Sequence, residues 1–324
     1  NAYFSDDVSP VRTIGKIDTK TGKVTDYKVF DKDGNLIGTH GMAVAPNGFL
    51  WVNASPLNTF MSFDPETERF HNYPRPEGTP GVGGNLAVDS KGNVWATTNQ
   101  GAVKMDPKSG VHTFYKAVSV QGTTTYGITI DSEDKAWFCM PGSDTVGVVD
   151  QQGNVSEVKM PPMKEDFFSD KDHELTAKFF TMNIRSGGEY GPVRSKGPRR
   201  LAADPKGNYV WVSDTWANQV ERIDIHTKEV KEYTFPHRWS EPYAAAVDRN
   251  HMVYINMLGR DAFAKLDPNT GQITEFQLPS RGTETRFIST DNSADPTIWV
   301  SYNRINRIAR IQYRKGSELQ SQLH

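Results

Sequence analysis

"GNLAVDSKGNVWATT", residues 84–98, reads as a tight β-hairpin: small apolar residues, a turn built on Asp89 and Gly92, then an apolar strand carrying Trp95. The same pattern returns as "HGMAVAPNGFLWVNA" (40–54), "YGITIDSEDKAWFCM" (126–140), "RRLAADPKGNYVWVSD" (199–214), "YAAAVDRNHMVYINM" (243–257) and "RFISTDNSADPTIWVSY" (286–302). Its aromatic markers are Trp51, Trp95, Trp137, Trp211, Tyr254 and Trp299. They recur about every 42 to 45 residues, with one interval of 74, and Tyr3 stands 48 before the first. That makes seven units, and a repeat of this length is a signature of propellers and solenoids.

Each marker strand is followed by a second hairpin with its own turn, as in "IGKIDTKTGKVTDY" (14–27), "AVKMDPKSGVHTFY" (102–115) and "FAKLDPNTGQITEF" (263–276). Asp opens the turn, Pro presets φ and Gly accepts positive φ. Four antiparallel strands per repeat, seven times over, predict an all-β, seven-bladed β-propeller in which radial packing protects most sheet edges. The domain is expected over 1–314, with a polar tail at 315–324. The first unit begins inside its second strand and the last stops after its third. Either the ring closes in an unusual way, or the natural chain has more sequence before Asn1; the second reading is preferred.

The 74-residue interval implies an insertion of about 32 residues between blades four and five, near 161–198: "PPMKEDFFSDKDHELTAKFFTMNIRSGGEYGPVRSKGP". A short helix capped by Asp172 is expected within it, followed by a basic loop. It is either a surface decoration or a lid or docking element, and long loops in compact domains tend to be functional.

Composition bounds the partners. The 324 residues carry 37 Lys and Arg against 39 Asp and Glu, a net charge of −2 that gives no reason to expect nucleic acid. The single cysteine, Cys139, excludes a disulfide framework, a Cys-x-x-Cys metal site and a Cys-x-x-Cys-His haem attachment within this chain. No apolar run is long enough for a membrane-spanning helix, and the first residues do not read as a signal peptide.

The motif "GI-x-x-D-x-x-G-x-x-W" followed by "KIGRID-x-x-TGKVTEY"-like hairpins resembles the seven-bladed propellers of the streptogramin B (virginiamycin B) lyase family over essentially the whole chain. Blades such as 197–224 further resemble lyase-like propellers fused behind a c-type cytochrome domain in exported bacterial proteins. The resemblance implies a periplasmic or secreted protein, with haem only in an upstream domain and a c-type cytochrome or other redox protein as a partner.

It also implies where chemistry would sit. The family carries histidines at the start of inner strands and a glutamate after the second-strand aromatic, with a magnesium ion. Here the histidine slot holds His40, Gly84, Tyr126, Arg199, Tyr243 and Arg286. The glutamate slot holds Asp6, Ala54, Thr98, Met140, Asp214, Met257 and Tyr302. One histidine without the acidic residues supplies half of a lyase, so the expected function is a binding or interaction domain. Its ligand would be a small anion, held at the channel rim by Arg199, Arg200, Arg286, Tyr126, Tyr243, Asp214 and Tyr302, with Arg304 near, because guanidinium forks suit oxyanions. The alternative is a lyase or lactone hydrolase with His40 as base. Asp6 and Asp214 leave room for a Mg or Ca ion that nothing in the sequence requires. Counting back from the turn places His40 opposite Ala54, Arg199 opposite Asp214 and Arg286 opposite Tyr302. Arg199 is then either half of a cross-strand ion pair or a ligand group.

Overall fold

The computed structural model describes residues 1–7, 10–54, 58–119, 125–164, 169–171, 174 and 195–313. Most of the expected insertion, including all but Glu174 of the segment 172–184 expected to be helical, and the tail at 315–324 lie outside the described residues. The chain divides into two compact units, Asn1–Lys159 and Met160–His324.

In the first unit, four sheets follow one another. They are β1 (Ala2–Ser5), β2 (Ile14–Ile17), β3 (Val24–Tyr27); β4 (Thr39–Val44), β5 (Leu50–Ala54), β6 (Thr59–Asp64), β7 (Arg69–Tyr73); β8 (Val82–Val88), β9 (Val94–Thr98), β10 (Gly101–Met105), β11 (His112–Lys116); and β12 (Ile128–Ile130), β13 (Ala136–Met140), β14 (Thr145–Val149), β15 (Val155–Lys159). The second unit holds three: β16 (Pro198–Ala203), β17 (Tyr209–Asp214), β18 (Gln219–Asp224), β19 (Val230–Thr234); β20 (Pro242–Val247), β21 (Val253–Met257), β22 (Ala262–Leu266), β23 (Ile273–Gln277); and β24 (Thr285–Thr290), β25 (Ile298–Tyr302), β26 (Arg307–Ile311). Every sheet is antiparallel in chain order, and the fold is the expected all-β, seven-bladed propeller. Among the described residues the first and last sheets have three strands each, β1-β2-β3 and β24-β25-β26, as the repeat boundaries predict.

Burial follows position in the blade. The second strands β5, β9, β13 and β21 are buried at every residue, whereas the outermost strands β15, β19 and β23 alternate with solvent. A strand covered on both faces must be apolar throughout, and an outer strand needs only one apolar face. Three of the aromatic markers fill seams between consecutive sheets of the same unit. Trp51 packs with Leu86, Val94 and Val103 of the next sheet, Trp95 with Ile128 and Phe138, and Trp211 with Ala245, Val253 and Ile255.

The turn aspartate explains why the motif is conserved from blade to blade within this chain. Asp131 accepts the backbone N–H groups of Glu133 and Lys135 on one carboxylate oxygen, both at 2.9 Å, and the Trp137 indole N–H on the other at 2.8 Å. Asp89 does the same for Lys91, Asn93 and Trp95, and Asp248 for Asn250, Met252 and the Tyr254 hydroxyl. One side chain therefore shapes the turn and satisfies the only polar atom of a buried aromatic ring.

Asp131→Ala leaves three donors, the Glu133 and Lys135 N–H groups and the Trp137 indole N–H, without their acceptor. It is expected to lower stability by about 2–4 kcal/mol, read as a lower urea midpoint with an unchanged slope.

Candidate functional site

The inner strands all lie beside one another within each unit, β4 with β8 and β8 with β12 in the first, β16 with β20 and β20 with β24 in the second. They are not regular. Pro198 pairs with Asp214 and Arg200 with Ser213, which leaves Arg199 as an extra residue in β16. Tyr243 is the extra residue of β20, Arg286 of β24, and His40 with Gly41 opposes Asn53 in β4. The register of β8 also shifts between Val82 and Leu86, around Gly84, so a bulge or register shift sits at the histidine slot of five blades, bending the strand and re-aiming the side chain it carries. The expected register is corrected accordingly. Ala54 faces Thr39, Asp214 faces Pro198 and Tyr302 faces Thr285, because counting residues from the turn assumes no bulge.

The bulges are held by a second-strand polar side chain. Asn53 Oδ1 accepts the Gly41 N–H at 2.6 Å while its Nδ2 donates to the Gly83 carbonyl of the next blade at 2.8 Å. Asn256 accepts from Ala244 at 2.8 Å and donates to the Thr285 carbonyl at 2.6 Å, and Ser301 accepts from Phe287 at 3.1 Å. Gly41 has to be glycine for close approach, since a Cβ would stand 2.5 Å from the Gly84 carbonyl oxygen.

In the second unit this geometry brings several of the expected site residues together. Arg199 and Arg200 are only 4% and 3% exposed. The Arg199 guanidinium lies 5.5 Å from the Trp216 ring and 5.6 Å from that of Tyr243; Arg200 lies 5.5 Å from Tyr243 and 3.8 Å from Phe287. Two cations and three aromatic rings from β16, β20, β24 and the β17–β18 turn form one cluster. Ring faces attract guanidinium and hold its plane without consuming its N–H donors.

Other expected residues stand apart from it. Arg286 is bound through Nε at 3.1 Å and a terminal nitrogen at 2.5 Å to Glu284, which is also 3.6 Å from Arg304. Tyr302 is buried, and its hydroxyl makes no hydrogen bond among the described residues; burial, and then Asp261, push its pKa above the usual phenol value. Asp214 is met by Lys196 at 4.0 Å. Lys196 is fully buried and bonds both Glu221 and, at 2.8 Å, Glu232; the exposed Lys164 takes the other oxygen of Glu232. Burial opposes the Lys196 charge, but Glu221 and Asp214 outweigh it and raise its pKa. Burial likewise pushes the Glu221 carboxyl up, against the pull of Lys196.

In the first unit, His40 Nδ1 lies 2.7 Å from Asp7 Oδ2, and Tyr126 begins the fourth blade with its N–H on the Cys139 carbonyl. Asp6 contacts Arg12 at 3.0 Å, and Arg12 Nε reaches Asp26 at 2.6 Å. These partners bear on the Mg or Ca expectation. Asp6 and Asp214 each face a cation of the chain itself, and no group of three or more His, Cys, Asp or Glu among the described residues is arranged to hold a metal. The residues present do not fit such an ion.

Sequence reasoning missed Asp7, Trp216, Lys196, Glu221 and Glu232. Glu221 left a signal: its place in the second hairpin is held by Met61, Val103, Gly147 and Ala264 in other blades, so an acid there required a buried cation. Asp7 left only its adjacency to the glutamate slot.

No protein-family model and no curated protein matches the chain. Among solved structures it is similar to virginiamycin B lyase from Staphylococcus aureus, with a TM-score of 0.71, 17% identity, and 93% of this chain and 88% of that one covered. A streptogramin B lyase structure gives 0.68 at 17% identity, covering 96% and 98%. The hydrazine synthase of Kuenenia stuttgartiensis gives 0.66 at 12%, covering 90% and 80%. The chain is thus a seven-bladed propeller of the streptogramin B lyase type in fold; identities this low carry the architecture and no activity.

Lys196→Met leaves two or three carboxylates buried without their ammonium, and is expected to lose about 3–5 kcal/mol. Adding Glu221→Gln should recover part of that loss in the same urea titration; no recovery would mean that Lys196 stabilises the blade by packing instead.

Proposed function

We propose that the chain is a binding domain that takes a small anionic ligand through Arg199 and Arg200. The observation that carries this reading is the pair of adjacent guanidinium groups, almost wholly enclosed and held by Trp216, Tyr243 and Phe287 at a bulge where three inner strands meet. Desolvated guanidinium presents several N–H donors in a fixed fork, which matches carboxylate, phosphate and sulfate oxygens. Tyr243 contributes a ring to both arginines. Arg286, already engaged by Glu284, has a smaller share than its slot suggested. A redox partner such as a c-type cytochrome domain, and an exported location, belong to the same proposal and rest on the family resemblance of the repeats.

Arg200→Ala should weaken binding of sulfate or a small carboxylate at least ~10-fold in calorimetry, while Arg286→Ala changes it little. Equal affinity in wild type and Arg200→Ala, or no binding of any small anion, would refute the reading.

A second reading has one observation in its favour. His40 Nδ1 is held by Asp7, the arrangement that fixes the tautomer and orientation of a general base. As a lyase or lactone hydrolase, the protein would turn over lactones or cyclic depsipeptides with His40 as base. His40→Ala would abolish turnover and Asp7→Asn would lower kcat by roughly 10²- to 10⁴-fold; wild-type protein inert on both substrate types would remove this reading.

A further inference from the structure

Four connecting segments of the second unit touch in sequence: the loop 235–241 between β19 and β20, the β21–β22 turn at 258–261, the loop 278–284 between β23 and β24, and the β25–β26 turn at 303–306. Hydrogen bonds join each to the next. The Leu258 N–H donates to the Glu241 carbonyl at 2.9 Å, and Asp261 accepts the N–H groups of Gly282 at 2.9 Å and Thr283 at 2.8 Å. The N–H groups of Asn303 and Arg304 donate to the Glu284 and Thr283 carbonyls, both at 3.3 Å. The four segments therefore form one continuous arc.

Each segment carries one arginine and no lysine: Arg238, Arg260, Arg281 and Arg304. Arg238 and Arg281 are exposed, the Arg304 side chain is 73% exposed and that of Arg260 31%. The acids of the arc are largely occupied within it. Asp261 is taken up by the Gly282 and Thr283 N–H groups, and Glu284 bonds Arg286 and stays 3.6 Å from Arg304. Glu275 lies 2.6 Å from His237 and 3.7 Å from Arg260. The Arg260 and Arg304 contacts are both beyond hydrogen-bond length.

Beside Arg238 stands Trp239, 45% exposed and, among the described residues, the one exposed tryptophan of the seven in the chain. Its backbone is left-handed at φ 60°, an outlier for a bulky residue that persists only where the surroundings fix it. They do so from several sides. Asn218 accepts the Ser240 N–H at 3.0 Å and donates to the His237 carbonyl at 2.8 Å, and a Cβ on Gly259 would stand 2.4 Å from the Trp239 carbonyl oxygen. A large ring kept in contact with water on a strained, firmly held loop does nothing for the core of its own blade.

We propose that this arc is a docking surface for an acidic segment of a partner protein, whose carboxylates take the arginines and whose apolar side chain covers Trp239. Guanidinium forks match carboxylates two bonds at a time, and Trp and Arg dominate the binding energy of protein interfaces, where Lys is depleted. A cation set made only of arginine favours a protein partner over an anionic lipid surface, which lysine attracts equally well. Arg199 and Arg200 are enclosed and outside these segments, so the inference stands apart from the anion-binding reading.

The probe is a short synthetic peptide of aspartates and glutamates around one leucine, titrated by calorimetry. Its Kd should rise at least ~10-fold between about 50 and about 300 mM salt. Trp239→Ala should weaken binding at least ~5-fold, and Arg281→Gln combined with Arg304→Gln at least ~10-fold. Arg249→Gln, at an exposed position of the β20–β21 turn, should leave it unchanged, and all these variants should keep the wild-type urea midpoint. A wild-type protein that does not bind the peptide at low salt, or variants of the arc that bind it as tightly as wild type, overturns the docking surface. Loss of the peptide in Arg200→Ala alone would put it at the enclosed arginine pair, and binding to phosphatidylserine vesicles but not to the peptide would make the arc a lipid contact; either result also overturns it. Sulfate binding, which the arc variants should leave intact, reports on the arginine pair separately, so each reading can fail without the other.

Discussion

A carboxylate answering a buried indole N–H is the interaction on which this architecture depends. Trp95 fills the seam between the third and fourth sheets and Trp137 is fully buried, and burying such a ring is favourable only if its one donor is satisfied. The aspartate that does so also closes the preceding turn, which fixes the hairpin at the point where the seam needs the ring. Tyr254 keeps the arrangement with a hydroxyl in place of the indole N–H. Because the partner sits six residues before the ring, the pairing is local. Each blade can form its own turn before it finds a neighbour.

The inner ends of the blades obey a different rule. There the second strand offers Asn53 or Asn256, which binds a bulge N–H of its own blade and a carbonyl of the next. Bulge and seam are thereby held by one side chain, buried in both cases. The bulge frees a residue from the ladder at the position nearest the inner strands, so its identity can vary from blade to blade without breaking a strand pair. His40, Arg199, Tyr243 and Arg286 occupy that place. Chemical variety is concentrated where the fold constrains the side chain least.

This division explains what could be read from the chain. Seven units, their turns and their aromatic markers follow from periodicity, since Asp, Gly and Trp are required at fixed offsets in most repeats. The slot residues were also legible, because the repeat aligns them. Their partners were not. A bulge adds a residue without a composition signal, so the cross-strand pairing of Arg199 with Asp214 came out one position wrong, and the true partner of Asp214, Lys196, lies before the strand begins. Likewise Asp7 meets His40 from the preceding blade, a contact between residues 33 apart that only the packing of one blade against another creates.

Glu232 gives one more consequence. Its two oxygens receive Lys164 and Lys196, which flank the long connection between β15 and β16. The ends of that connection are brought together by ions seated on blade five. Loop-closure entropy grows only with the logarithm of length. Residues added or removed between the two lysines therefore leave the base, and the blade beneath it, nearly indifferent to how long the excursion is. The connection is a place where this propeller can acquire new sequence without renegotiating its fold.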